Sequence, residues 1–265
     1  MAKVRVDALL AQRGLFASRS RAAASVMAGE VRLADGSRAS KPGQMVAEDA
    51  VLAVDERRRF VSRGGTKLSN ALDALGVAVE GRRAVDVGAS TGGFTDCLLQ
   101  RGAEHVTCVD VAYGELDWSL RTDERVTVLE RVNARALEVE MLPHRPDLAV
   151  ADVSFISLRK VLPAVLSCLA ERHDALLMVK PQFEVGRERV GSGGVVRDPL
   201  ARRDAITSVA DAAREAGASV LGLASSGLPG PKGNRESFLW LGEGGRPGEL
   251  DAEAFAAVVA GVEPA

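Results

Sequence analysis

Cysteine is scarce in this chain: Cys97, Cys108 and Cys168 are the only three among 265 residues, and none stands with another or with His105, His144 or His173 in a metal-ligand spacing. A disulfide framework or a zinc site needs closer sets, so neither is expected, and no metal is expected. These six residues read as small buried thiols and as satisfied or exposed imidazoles. Long apolar runs are also missing, since no uncharged stretch reaches the roughly 18 residues of a spanning helix. The opening MAKVRVDALL lacks the apolar core and cleavage pattern of a secretory leader, so a cytoplasmic location is expected and no membrane partner. What is present, 46% hydrophobic and 26% charged residues with a net charge of −2, is the composition of a globular chain. The length allows one large domain, or a mid-sized domain with a small appendage.

The near-zero net charge hides a division. Residues 1–66 hold 12 Lys and Arg against 7 Asp and Glu, a net of +5, so the remaining 199 residues carry −7. Such asymmetry points to an N-terminus that faces a polyanion, against the alternative of a merely solvated basic face.

In this basic part, apolar residues between Val4 and Gln12 recur at helical spacing and Gly14 follows as a stop. Ser18 opens a second helix that runs through Ala22 to Met27 and closes at Gly29. Val31–Leu33 and Val51–Val54 read as strands, with turns at Asp35-Gly36 and Lys41-Pro42-Gly43. The ordered set R-x-D-x-L-L-x-x-R-G-L-x-x-S-R-S-R-A, G-x-V-R-L and K-P-G resembles the S4 RNA-binding module over about residues 3–55. Arg13, Arg19 and Arg21 then project from one side of a helix pair and are suited to bidentate phosphate contacts. The resemblance adds Arg5 and Lys41 to this RNA-binding set. Aromatics are few here, so phosphate and shape recognition is expected ahead of base stacking.

Beyond the Arg57-Arg58-Arg59-Phe60 segment, taken with residues up to 63 as a linker, strands and helices alternate, which implies a parallel sheet. Strands at Ala84–Val87, Val106–Val109, Leu148–Ala151 and Ala175–Val179 lead into Gly88, Asp110, Asp152 and Lys180. Functional side chains collect at such carboxyl ends. The turn Gly88 to Gly93, followed by a helix from about Phe94 to Arg101, has neither a Walker A lysine nor the G-x-G-x-x-G spacing. Asp86 before the turn and Asp110, 22 residues past Gly88, strengthen a ligand-binding reading, because an acid ending the second strand can accept from ribose hydroxyls. The pattern D-x-G-x-x-x-G-G-F-T-D resembles the S-adenosylmethionine loop of methyltransferases. That resemblance assigns Asp86, Gly88, Ser90, Thr91, Gly92, Gly93, Phe94 and Asp110 to the cofactor and makes Asn133 the adenine contact.

Four further residues stand out: Lys67 in S-R-G-G-T-K-L, Asp152 in A-D-V-S-F-I-S, Lys180 in V-K-P-Q-F-E and Glu236 in G-N-R-E-S-F-L-W. Lys180 leaves a buried strand, where carboxylates can tune it, and Glu236 opens an amphipathic strand, Glu236 to Leu241, and so can point at a sheet-edge site. Lys, Asp, Lys and Glu in this order resemble the tetrad of FtsJ-related 2′-O-ribose methyltransferases. With the S4-like segment, the chain is similar to the TlyA (haemolysin-like) family from residue 3 to about 243. Its departures are Gly65-Thr66 beside Lys67 and Arg-Arg-Phe before Val61.

The implied architecture is α/β: an S4-like α+β domain at 1–56, a linker at 57–63, a Rossmann-like FtsJ-type methyltransferase domain at 64–244 and a tail helix at 245–265. The implied activity is S-adenosylmethionine-dependent methylation of a ribose 2′-hydroxyl, expected on cytidine, in ribosomal RNA within ribosomal subunits. A ribose hydroxyl is a poor nucleophile and needs its proton withdrawn or its oxygen polarised. Lys180 held by Asp152 and Glu236 is expected to do so, with Lys67 completing the network. The Gly- and Arg-rich segment from Phe183 to Asp198 is expected to be a mobile RNA-contacting loop. Two other readings are weighed: a membrane-lytic protein, disfavoured by the missing spanning segments, and an S4-type RNA-binding protein with a silent second domain, disfavoured by the intact tetrad.

Overall fold

The computed structural model describes residues 3–27, 29–54 and 59–263. It separates into two units, residues 1–58 and residues 59–265. Arg57 and Arg58 of the expected linker lie outside the described residues. Phe60 is no linker residue, because it is buried in the core of the second unit, and Ser62 caps that unit's first helix. The second unit therefore begins about five residues earlier than the sequence pattern implies.

In the first unit, β1 (Lys3–Arg5) leads directly into α1 (Val6–Gln12), then come α2 (Arg19–Met27), β2 (Val31–Leu33), β3 (Met45–Ala47) and β4 (Leu52–Val54). Val4 and Arg5, expected in a helix, are strand residues paired antiparallel with β3. β2 pairs antiparallel with β4. Val6, Leu10, Ala22, Val26, Val31 and Ala39 form a small core, with α1 and α2 supplying residues one helical turn apart. Gly14 and Gly29 adopt positive φ just past the two helices, which is the role glycine plays at helix ends.

The second unit opens with α3 (Arg63–Leu75), followed by β5 (Arg83–Val87), α4 (Gly93–Gln100), β6 (His105–Asp110), α5 (Trp118–Arg121) and β7 (Val126–Glu130). Then come β8 (Leu148–Ala151), α6 (Leu162–Ser167), β9 (Asp174–Val179), α7 (Pro181–Glu184), α8 (Pro199–Glu215), β10 (Ser219–Ser225), β11 (Ser237–Gly242) and α9 (Ala252–Val262). Seven strands form one sheet in the order β7-β6-β5-β8-β9-β11-β10. β5 to β9 run parallel, and β11 is antiparallel to both β9 and β10.

Strand alternation divides the interior into two cores. Val85, Val87, Ala175, Leu177 and Val179 face the helices α6, α8 and α9, while Ala84, Leu176 and Met178 face α3 and α4. The expected amphipathic character of the strand that Glu236 opens is corrected by β11. This strand lies inside the sheet and is buried on both faces, Phe238 entering one core and Leu239 and Leu241 the other. The expected tail is likewise part of this unit: Phe255 and Val259 of α9 are buried, and the Glu263 carboxylate pairs with buried Arg202 of α8 at 2.7 Å. No helix among the described residues is long and apolar enough to cross a membrane.

Candidate active site

Parallel strands deliver their carboxyl ends to one edge of the sheet, and the chain reverses its direction of spread at β5, between β6 and β8. A crevice at such a reversal is the usual ligand position in open α/β sheets. β6, β5 and β8 bring Asp110, Asp86 and Asp152 to that edge, and β9 brings Lys180. Because β11 is antiparallel and Ser237 is in register with Val179, Glu236 enters the same edge from the opposite chain direction.

The turn after β5 is shaped by its glycines. Gly88 has φ +84°, and a Cβ there would sit 2.7 Å from the Asp152 carbonyl oxygen, so glycine allows the turn to close on the end of β8. Gly92 and Gly93 have a packing role as well. A side chain at Gly92, which has φ +95°, would collide with Leu116 and Leu120, and one at Gly93 with Ser62 Oγ and Gly65 N, so these glycines also allow α4 to pack against its neighbours. Ser90 is exposed at φ +47°, and its amide donates to Asp110 Oδ2 at 2.7 Å; Asp110 Oδ1 accepts from the Ala112 amide at 2.8 Å. Asp110 thus holds the turn itself in place.

Asp86 shows no solvent exposure. Its Oδ2 accepts from Thr95 N at 3.0 Å and Thr95 Oγ1 at 2.7 Å, while its buried Oδ1 has no hydrogen-bond partner among the described residues. Burial pushes its pKa up to about 7, against the Thr95 hydrogen bonds and with the help of the neighbouring Asp152 and Asp110 carboxylates. Asn133 is exposed and accepts from Arg135 N at 3.1 Å. The preceding Val132 amide donates to the Asp110 carbonyl at 3.0 Å, which fixes Asn133 beside the end of β6.

The four tetrad residues form two ion pairs. Lys180 Nζ lies 2.5 Å from Asp152 Oδ1 and donates to Ser154 Oγ at 2.8 Å. Glu236 pairs with Lys67 of α3, both being buried. The expectation that Lys180 is held by Asp152 and Glu236 together is therefore corrected: α3 covers this end of the sheet and carries its own cation to Glu236. A hollow of about 340 Å³ is lined by Lys180, Glu236, Ser154, Phe155, Gln182 and Asn234, among others. Phe155 is 93% exposed at φ +63°, and its ring lies 5.4 Å from that of Phe183. A bulky side chain held in the left-handed region is a strained arrangement of the kind that collects at functional sites.

The segment after α7 is not free loop. Single turns occupy Arg187–Arg189 and Ser192–Gly194, and buried Asn234 fastens the stretch by accepting from Val196 N at 2.9 Å and donating to Gly194 O at 2.8 Å. Arg202 donates to the Arg197 carbonyl at 2.6 Å from the other side. Phe155, Gln182 and Asn234 carry no signal of their own in the sequence, although each stands inside a motif that holds a tetrad residue.

In the first unit, the basic residues differ in their freedom. Arg13 donates to the Ala50 and Glu48 carbonyls, both at 2.6 Å, and so ties α1 to the β3–β4 turn. Arg5 grips Asp7 with two hydrogen bonds of 3.0 and 2.7 Å, and Arg19 Nε lies 3.2 Å from the same carboxylate. The Arg5 guanidinium holds Asp7 down at about 2. Arg21 and Lys41 are exposed and carry no ion pair among the described residues. No group of three or more His, Cys, Asp or Glu is placed to hold a metal among the described residues.

Against known proteins, the FtsJ-like methyltransferase family matches residues 60–243. The 16S/23S rRNA (cytidine-2′-O)-methyltransferase TlyA of Mycobacterium tuberculosis is 54% identical over 241 residues, 90% of this chain and 90% of that protein. A solved structure described as a hemolysin from Streptococcus thermophilus is 40% identical, with a TM-score of 0.74 over 99% of this chain and 96% of that one. An S-adenosylmethionine-dependent methyltransferase structure from Mesorhizobium loti, 14% identical with a TM-score of 0.51, covers 69% of this chain and all of that one and shares the Rossmann-like fold. With its two ion pairs at one sheet edge and these matches along most of its length, the chain belongs to the FtsJ-like methyltransferase family, in its TlyA branch.

Proposed function

We propose that this protein transfers a methyl group from S-adenosylmethionine to the ribose 2′-oxygen of a cytidine in ribosomal RNA, acting on ribosomal subunits in the cytoplasm. The observation that carries this reading is the Lys180–Asp152 pair beside the Gly88 turn, with the Lys67–Glu236 pair entering the same sheet edge. The names of its relatives agree with that chemistry.

The residues present suit the cofactor. Asp86 Oδ1 is a buried acceptor without a partner among the described residues, and burial, with the neighbouring Asp152 and Asp110 carboxylates, raises the cost of ionising Asp86 until a cation joins it. S-adenosylmethionine brings an ammonium and a sulfonium, and when bound it supplies the electrophilic methyl. Asp86 would take the ammonium, and Asp110 the ribose hydroxyls, while it keeps Ser90 in place.

On the substrate side, Lys180 is ion-paired with Asp152 and donates to Ser154, so another proton of its ammonium can donate to the 2′-oxygen and orient a lone pair for attack. As the oxygen gains the methyl, its proton passes to Lys180 while Lys180 gives one of its own to the Asp152 carboxylate, so the proton ends on Asp152. Lys67 neutralises Glu236, so the hollow keeps one working cation rather than a surplus acid. The exposed Phe155 ring offers a ledge on which a base can stack. The first unit is read as an S4 module that holds RNA phosphates through Arg21 and Lys41.

The test is single-turnover transfer of labelled methyl to small and large ribosomal subunits, with nucleosides identified by mass spectrometry. 2′-O-Methylcytidine is expected. Lys180→Ala should slow transfer by on the order of 10²–10⁴ while leaving cofactor affinity intact, and Lys180→Arg should fail as well, its planar fork being a poor substitute for an ammonium. Label on a base, or undiminished transfer by Lys180→Ala, would overturn the reading.

A further inference from the structure

Gln182 stands two residues after Lys180, in α7, and lines the hollow that Lys180 and Glu236 share. Its Oε1 is buried and has no hydrogen-bond partner among the described residues. Buried amide oxygens are seldom left unpaired in native proteins, and one left so at a substrate cavity calls for a ligand donor. The other walls tell what sort of donor fits. Phe155 and Phe183 form an aromatic side to the hollow, suited to the face of a planar ring, while Lys180 lies 6.0 Å from the Phe183 ring centre on the reacting side. A base stacked on that side, with its ribose at Lys180, would present its edge to the amide. A primary amide offers an acceptor and a donor side by side.

We infer that Gln182 reads the edge of the nucleotide being methylated, its Oε1 accepting from the exocyclic amine of the base and its amide N–H donating to the adjacent ring nitrogen. This selects an amine-bearing pyrimidine over one that carries a carbonyl at that position. The inference rests on the proposed function and goes beyond it by assigning the choice of base to a residue of this chain. No covalent step involves Gln182.

The experiment measures single-turnover methyl transfer from S-adenosylmethionine by the full-length protein to two ribosomal RNA substrates, one with the modified cytidine and one with uridine at that position. The wild-type protein should favour cytidine by at least about tenfold, the usual worth of one buried hydrogen bond. Gln182→Leu should slow the cytidine reaction about 10- to 100-fold and the uridine reaction far less, so that the preference collapses with cofactor affinity unchanged. Gln182→Glu keeps the acceptor for the amine but loses the donor to the ring nitrogen and sets an oxygen against it, so it should lower the preference for cytidine, which decides the matter if the leucine variant does not fold. An unchanged cytidine-to-uridine ratio in the folded variants, or equal wild-type rates on the two substrates, overturns the assignment of Gln182. Absence of any 2′-O-methylated nucleoside with wild-type protein overturns the proposed function, and this assignment with it.

Discussion

Asp86 has a folded pKa of about 7, above the roughly 3.9 of a free aspartate. The sign follows from linkage: the native state binds its proton more tightly, so Asp86's contribution to stability is complete below about pH 4 and is lost as the pH rises through 7. Asp86→Asn should therefore flatten the fall in stability between about pH 4 and 8, as read from urea midpoints across that range. A cationic ligand reverses the preference, because it favours the carboxylate. S-adenosylmethionine should bind more weakly as the pH falls below 7, with proton release visible in calorimetry in buffers of different ionisation enthalpy. Binding that does not change between pH 6 and 8 would remove Asp86 from the cofactor site. The two tetrad pairs should also part company in stability. Glu236→Ala strands the buried Lys67 ammonium, a change that typically costs on the order of 3–5 kcal/mol. Asp152→Ala, at a partly exposed carboxylate, should cost clearly less. Equal losses in denaturant titrations would contradict the division into a supporting and a working pair.

Among the elements, the segment between Gly191 and Asp198 shows how a loop that is irregular in sequence becomes a wall of the hollow. Asn234 holds it on one side and Arg202 on the other. Asn234→Ala removes both amide bonds and should raise the KM for RNA and lower kcat several-fold while cofactor affinity stays constant. Asn234→Asp, which keeps the acceptor for Val196, should recover part of the loss. A variant with normal kinetics would mean that the wall stands without this tie. The expected loop character of this stretch comes from its lack of periodicity, and periodicity cannot register side-chain ties from positions 202 and 234. Other elements are plain in the sequence: Leu148–Ala151 and Asp174–Val179 are buried on both faces and read as continuous apolar runs. β1 and β3 are not legible there, because three residues are too few to show an alternation. α3 is hidden because Gly64 and Gly65 open it, and glycine lowers helix propensity; Gly65 is there since a side chain would strike Phe60. The tetrad is legible as residue types, but its pairing is not. Which acid meets which lysine depends on β11 lying next to β9 and on α3 covering Glu236, facts of topology that spacing along the chain does not contain.

For the molecule as a whole, the basic and acidic parts of the sequence fall into separate units, and only some of the basic residues are available to a partner. Arg13 is committed to backbone carbonyls, so Arg13→Ala should lower the stability of the first unit, whereas neutralising Arg21 and Lys41 should act on RNA binding alone. The expected signature of the double variant is a shallower dependence of log affinity on log salt, by up to ~0.9 for each phosphate no longer neutralised. An unaltered slope, measured by filter binding over a salt series, would mean that these two side chains do not meet the backbone. Acid should affect the first unit separately: the Asp7 carboxylate, depressed to about 2, contributes stability above about pH 4 that is lost as the pH falls through 2. The clamp between Arg202 and Glu263 has a consequence in time rather than in space. Arg202 supports the wall of the hollow and is itself neutralised by a residue made 61 positions later. A nascent chain that has already emerged with every tetrad residue still lacks this clamp, so this support of the hollow forms only once Glu263 has emerged as well.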